Sequence, residues 1–402
     1  MRATKVLQKC LDGALGSIHA CRQRVLFLAV EALIAGRRLT LIDVARAWPG
    51  AERVRAPLKA LDRLLSNAHL YSERERIYAG MAHWLVRTAR PIIVVDWSDL
   101  KADRSWHLLR AAVPVGGRTL PILDMVFPNG QQGTPVAERL FLQRLQQILP
   151  PDVQPMVITD AGFRAPWFRT LEAMGWYWVG RLRHRTFVKP VDVADTPDQW
   201  VPCKALYELA RTTPRDLGLM DTVRNHALTC RVALVRKPCK GRKMLNRQGQ
   251  PTRSSHSNQN AAREREPWII LASPRLADLS AAQLVELYAR RMQIELSFRD
   301  LKSHRYGQGF EDSLTRKGKR IEILLLIQAL AAFACWLFGM ACARAGIDHW
   351  LTPFRSARKL YSTLRLGQEA LRRRWSSNSP CAIIALLRNP DPALLQQFAL
   401  PA

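Results

Sequence analysis

The chain has 402 residues, of which 48% are hydrophobic, enough for two or three domains around at least one large core. Sixty-one Lys and Arg against 33 Asp and Glu leave a net charge of +28, which calls for a polyanionic partner: nucleic acid first, an anionic membrane surface second. The eight cysteines form no Cys-x-x-Cys pair, the histidines have no zinc-finger spacing, and the N-terminus has no signal-peptide layout. Structural disulfides and zinc fingers are thereby disfavoured, and a reducing compartment is expected.

Residues 1–90 read as helices. Val25 to Ala35 and Leu39 to Ala47 are apolar helical stretches. Arg55, Lys59 and Arg63 then recur at i, i+4 and i+8, with Leu58, Leu61, Leu64 and Leu65 mostly on another face and Pro57 near the first turn. This is an amphipathic helix with a basic stripe, either a solvated face or a DNA contact.

From residue 91 the pattern changes. Ile92–Asp96 is a continuous apolar, β-branched run, as expected of a central strand. His107–Val115 and Leu120–Phe127 form its hairpin neighbours through Gly116-Gly117. Thr134 caps a helix to Leu149, with Pro135 at its first position. Met156–Asp160 is a second buried strand, Arg164–Met174 a helix and Trp176–Leu182 a third strand. Hairpins followed by alternating strands and helices indicate a mixed α/β sheet covered by helices.

Residues 183–275 read as a β-rich insertion with strands at Thr229–Val235 and Trp268–Ala272. Between them, 236–265 holds nine Lys or Arg and one Glu with little apolar periodicity, a basic loop suited to transient phosphate contact. A long helix runs from Leu279 to about Arg305, capped by Ser280 or Asp278, within a segment 276–345. Ile323 to Ala343 is 21 residues long with Gln328 as its only clearly polar side chain. By length it could span a bilayer, but its Ala content and Gln328 favour a buried helix. The remainder, 346–402, is helical and basic.

Three carboxylates stand out in this cationic chain. Asp96 and Asp160 each end a predicted strand, where open α/β sheets present ligands, and neighbouring strands would put them side by side. Glu295 lies on the long helix and would close the site. Paired carboxylates bind protons or cations, and Mg²⁺ wants oxygen ligands and shares phosphate oxygens. Two such ions about 3.5–4 Å apart would serve both the attacking and the leaving oxygen. Tyr288, Arg291, Glu295 and Lys302 follow Y-x2-R-x3-E-x6-K, steps of 3, 4 and 7 that keep four residues on one face of a continuous helix.

With Val95-Asp-Trp-Ser-Asp99, Thr159-Asp-Ala-Gly-Phe163, Gly175-Trp-Tyr-Trp178, Glu266-Pro-Trp268 and Lys59-Ala-Leu-Asp-Arg-Leu-Leu65, these residues make the chain resemble bacterial DDE cut-and-paste transposases. The likeness is to the insertion-sequence-four group, in the branch typified by the insertion sequence of the tetracycline-resistance transposon. It implies a ribonuclease-H-like mixed sheet with flanking helices, a β-rich insertion and helical ends. It assigns Asp96, Asp160 and Glu295 as catalytic ligands of two Mg²⁺ ions, with Mn²⁺ as a substitute. Tyr288, Arg291 and Lys302 would contact DNA near the cut, and Trp268 would either stack an extruded base or pack within its strand. The implied partners are double-stranded DNA, both transposon ends and target, and a second copy of the chain on paired ends, with no membrane.

Overall fold

The computed structural model describes residues 3–183, 186–191, 199–238, 265–305, 307–353 and 360–373, with isolated positions besides. Most of the basic loop 236–265 and the end of the chain therefore lie outside the described residues. In chain order the helices are α1 (Ala3–Cys10), α2 (Asp12–Leu15), α3 (Ala20–Gly36), α4 (Leu41–Arg46), α5 (Arg55–Leu65), α6 (Ala68–Leu85) and α7 (Pro135–Ile148). They continue as α8 (Ala165–Ala173), α9 (Ala281–Ala289), α10 (Met292–Lys302), α11 (Gly318–Arg344), α12 (Asp348–Leu351) and α13 (Thr363–Arg372). The strands are β1 (Ile92–Asp99), β2 (Trp106–Pro114), β3 (Thr119–Pro128), β4 (Met156–Ile158), β5 (Tyr177–Leu182), β6 (Phe187–Pro190), β7 (Val201–Pro202), β8 (Arg215–Thr222), β9 (Leu228–Val235) and β10 (Trp268–Ala272). The chain is thus mixed α/β, and it divides into two compact units.

The first unit joins Met1–Val153 to Met292–Ala399. Its strands β1, β2 and β3 form an antiparallel meander. Helix α11 fills its centre: every residue from Ile321 to Cys342 is buried. The helix is long and apolar enough to cross a membrane, yet α3, α6, α13 and β3 cover it here. Its polar side chains show why. Gln328 Oε1 accepts a 3.2 Å hydrogen bond from Arg110, whose guanidinium grips Asp124 through two 2.7 Å bonds. Glu322 accepts from Val126 N at 2.8 Å and pairs with Arg74 at 3.1 Å. Buried charges are tolerated only when paired in this way.

Helices α11 and α13 meet backbone to backbone at Gly339 and Gly367. A Cβ on Gly367 would lie 2.6 Å from Gly339 N and would overlap the Cys335 carbonyl oxygen outright. Around this contact, the buried Glu369 carboxylate of α13 receives Arg37 at 2.7 Å, Arg365 at 2.8 Å and Arg372 at 2.9 Å. Burial pushes the Glu369 carboxyl up, but the Arg37 hydrogen bond and the Arg365 charge more than offset it, so it ends below its ordinary value. A depressed folded-state value means that this stabilisation is present above the ordinary glutamate range and is lost as pH falls through the folded value. Thermal melts at pH 7 and in that acidic window are therefore expected to show a larger loss for the wild type than for Glu369→Gln. Equal losses would mean that the carboxylate does not hold α13.

The second unit is Gln154–Arg291. Its strands run in the order β4-β5-β10-β9-β8-β6-β7. Only β4–β5 is parallel among the pairings described in this unit. Helix α9 opens with a capping box in which Ser280 and Gln283 exchange hydrogen bonds, so Ser280 rather than Asp278 is the cap.

Two sequence expectations need correction. Strand β1 does not end at Asp96 but runs on to Asp99, because β2 continues to pair with it through Asp99 opposite His107. The long helix expected from Leu279 to Arg305 is broken. It stops at Ala289, Arg290 and Arg291 close onto Leu287 and Tyr288 by i→i−3 bonds, and a new helix starts at Met292. The break falls on the boundary between the two units.

Candidate active site

In the first unit, Asp96 sits in mid-strand, 8% exposed, directly opposite Arg110 in the β1–β2 register. Its Oδ1 accepts a 2.9 Å hydrogen bond from Trp97 N. It lines a cleft of about 670 Å³ together with Glu295, Phe298, Arg299 and Lys302. Asp99, the nearby carboxylate, is otherwise engaged: Oδ1 lies 2.9 Å from His107 Nδ1, and Arg104 pairs with it at 3.5 Å.

Helix α10 presents Glu295 because its other side is fastened. Gln293 Oε1 accepts from Gly117 N at 3.0 Å, Ser297 Oγ from Thr119 N at 2.9 Å, and Asp300 pairs with Arg118 at 2.5 Å. Positions 293, 297 and 300 share one helical face, and 295, 299 and 302 repeat the same spacing two residues later, roughly 200° around. The second set faces the cleft. Glu295 is in the first turn, where the helix dipole favours an anion. Lys302 Nζ donates to Asp99 O at 3.1 Å, tying the end of α10 to β1. Arg299 was not singled out by the sequence reading, although its i+4 spacing from Glu295 was the available signal.

The second unit gathers the other candidates. Asp160 lies two residues past β4, with Oδ1 accepting from Gly162 N at 2.7 Å in a tight turn. A Cβ at Gly162 would come 2.9 Å from that oxygen. Tyr288 on α9 is 2% exposed and meets the Trp268 ring edge-on at 5.1 Å between centroids. The Arg291 guanidinium lies 5.6 Å from the Tyr288 ring centroid. Arg181 and Lys237 each place a cationic group 5.5 Å from the Trp268 centroid. Burial raises the Tyr288 phenol, against the opposing charge of Arg291, and the Asp160 carboxylate raises it further. Burial likewise lowers Arg181, helped by the charge of Arg183. Arg181 was missed from sequence; an arginine inside the apolar strand Tyr177–Leu182 was the clue.

The Tyr288, Arg291, Glu295 and Lys302 signature therefore does not lie on one continuous helical face, since the helix is interrupted between its second and third members. Its halves are separately intact: Tyr288 with Arg291, and Glu295 with Lys302. Among the described residues no three His, Cys, Asp or Glu side chains form a group that could hold a metal ion. On α5, Arg55, Lys59 and Arg63 are all exposed, while Leu61, Leu64 and Leu65 are buried and Leu58 is half-buried.

The chain matches the family model described as the transposase DDE domain over residues 87–334, more than half its length. No curated protein matches it.

Proposed function

Given that the chain belongs to the transposase DDE-domain family, whose ribonuclease-H-like members catalyse phosphoryl transfer on DNA with divalent metal ions, we propose that it is the transposase of an insertion sequence of the insertion-sequence-four group. In this reading it resembles most the transposase of the tetracycline-resistance transposon's insertion sequence. It binds terminal inverted repeats as a homodimer on paired ends, in the cytoplasm and on the nucleoid rather than at a membrane. The observation that carries the proposal is the cleft in which Asp96 and Glu295 stand beside Arg299 and Lys302. Carboxylates among cations suit a metal held against phosphates.

The donor set in that cleft, the carboxylates of Asp96, Glu295 and Glu311 with His304 and no thiolate, fits a hard divalent cation. Asp96, Glu295 and, by its motif, Asp160 are the proposed ligands of two Mg²⁺ ions, which Mn²⁺ would replace. When bound, the metal supplies activation of the attacking oxygen and charge stabilisation at the leaving one. Lys302 and Arg299 hold phosphates at the cleft, Lys302 already positioned by Asp99 O. Arg291 adds a bidentate phosphate grip. Tyr288 serves as a contact, since burial keeps its phenol protonated and makes it a poor nucleophile. Trp268 provides a flat apolar platform for an extruded base. The exposed stripe Arg55, Lys59 and Arg63 tracks the backbone of the end sequence. The reaction is a series of in-line transfers: water nicks one strand, the 3′-OH forms a hairpin on the other, water reopens it, and the 3′-OH attacks target DNA.

The test incubates the protein and Asp160→Ala with Mg²⁺ and a fragment carrying the native element end. Flush excision through a hairpin, absent from the variant, is expected. Cutting without hairpin or joining would point to a nuclease on this fold, and binding without cutting to an inactive DNA-binding protein.

A further inference from the structure

Asp96 belongs to a row of charges that crosses the first unit's meander. It faces Arg110 across the β1–β2 pair, and Arg110 in turn faces Asp124 across β2–β3. Directly opposite residues project from one face of a sheet, with Cβ atoms about 4.5–5.5 Å apart. The row therefore reads acid, base, acid: Asp96 at the cleft, Arg110 in the middle and Asp124 behind it. It is buried throughout, with Arg110 1% exposed and Asp124 0%.

An arginine flanked by two carboxylates on neighbouring strands can serve either. Here the fork is committed to Asp124: Nε donates to Oδ1 and Nη2 to Oδ2, each at 2.7 Å. Nη2 also donates to Gln328 Oε1 of α11 at 3.2 Å. Tyr78 of α6, fully buried, donates its hydroxyl to Asp124 at 3.5 Å. The Arg110 guanidinium carbon lies 5.5 Å from the Phe298 ring centroid, and Phe298 lines the cleft with Asp96 and Glu295. A full positive charge thus sits one side chain behind the wall of a candidate cation site.

That charge is a hazard to the site. A guanidinium paired with Asp96 would compete with a divalent cation for its oxygens, and one left without a counter-ion would repel the cation. Stability alone is a weak reason for the Arg110–Asp124 pair, because apolar residues of similar volume often serve a core as well as a buried ion pair does.

We propose that Asp124 is a positioning residue for the cleft: as the counter-ion of Arg110 it keeps the guanidinium off Asp96 and leaves the Asp96 carboxylate to a divalent cation. The proposal rests on the reading of Asp96 as a metal ligand.

The experiment titrates Mn²⁺ into the full chain without DNA and follows the free ion by electron paramagnetic resonance. Asp124→Asn keeps the shape and removes the charge. It is expected to weaken Mn²⁺ binding about 10- to 100-fold, the usual range when a group supporting a ligand from behind is lost. Two double variants are expected to restore it. Asp124→Asn with Gln328→Glu gives Arg110 a new carboxylate on the α11 side, and Asp124→Asn with Arg110→Gln removes the guanidinium altogether. A purely structural pair would lower the melting temperature of Asp124→Asn and leave the Mn²⁺ affinity of the folded protein at the wild-type level; that result would overturn the proposal. So would a double variant that folds and binds Mn²⁺ as weakly as Asp124→Asn. Should Asp124→Asn not fold, the double variants decide alone, since each must then bind Mn²⁺ like the wild type and a loss in either overturns the proposal. Asp96→Ala is the separate control. Wild-type Mn²⁺ binding by that variant, or none by the wild type, would remove the metal reading of Asp96 rather than the role of Asp124.

Discussion

Gly367→Ala is expected to destabilise the first unit by about 3 kcal/mol or more, at or beyond the top of the usual overpacking range. The sign is diagnostic. Glycine inside a helix ordinarily costs about 1 kcal/mol relative to alanine, so propensity alone would make this substitution stabilising. The added Cβ has nowhere to go: it would meet Gly339 N at 2.6 Å and overlap the Cys335 carbonyl oxygen, both of them α11 backbone. Backbone cannot rotate aside as a long side chain does. Helix α13 would have to lift, opening the small cluster of Cys342, Leu351, Leu366 and Ala370. Urea unfolding of the variant and the wild type checks this. A variant as stable as the wild type would show that the two helices do not approach this closely.

Asp96→Ala is expected to lower strand cleavage by about 1,000-fold or more without weakening DNA binding. The metal chemistry that Asp96 is proposed to support contributes several kcal/mol of transition-state stabilisation, and each 1.36 kcal/mol is a factor of ten. Binding is spared because removing a negative charge beside Arg299 and Lys302 does not disfavour a polyanion. Asp99→Asn is the matched control. Asp99 is bound by His107 and Arg104, so its loss should cost fold stability before chemistry. Single-turnover cleavage of an element end, with anisotropy alongside, reads both. If Asp99→Asn abolished cleavage while Asp96→Ala retained it, the assignment of the first carboxylate would move.

Much of the fold was legible because local signals agreed. The runs Ile92–Asp96, Trp268–Ala272 and Thr229–Val235 are apolar and β-branched, and each lies within or closely matches a strand. Thr134 and Pro135 marked the start of α7 as expected. Gln328 argued for burial of its helix and is met there by the buried Arg110–Asp124 pair. What was not legible is set by tertiary context. Trp97, Ser98 and Asp99 read as lying past a strand that ends at Asp96, yet cross-strand pairing to His107 carries β1 through them. Strand β8 was missed because Arg215–Thr222 is polar and bulged, with several residues exposed. Nothing in Tyr288-Ala-Arg-Arg-Met-Gln293 signals a stop: there is no Gly or Pro, and all these residues tolerate helix. The break there coincides with a boundary between compact units, which no window of sequence displays. In the candidate site, the motif residues could be singled out from the sequence by their spacing, whereas Arg181 and Arg299 were not, since each draws its meaning from neighbours distant in sequence.

The division of the first unit has a consequence during synthesis. Its two segments are separated by the 138 residues of Gln154–Arg291. Helix α11, which α3, α6 and β3 pack against, belongs to the later segment. At about 5–20 residues per second, the ribosome takes roughly 7–28 s to make the intervening stretch. The stretch Gln154–Arg291 carries all the described elements of the second unit and can close on itself in that interval, while the first 153 residues wait with the apolar surfaces that α11 will cover still open to water. That wait is the period in which the nascent chain is most exposed to holdase chaperones and to pairing with a neighbouring copy emerging from the same message.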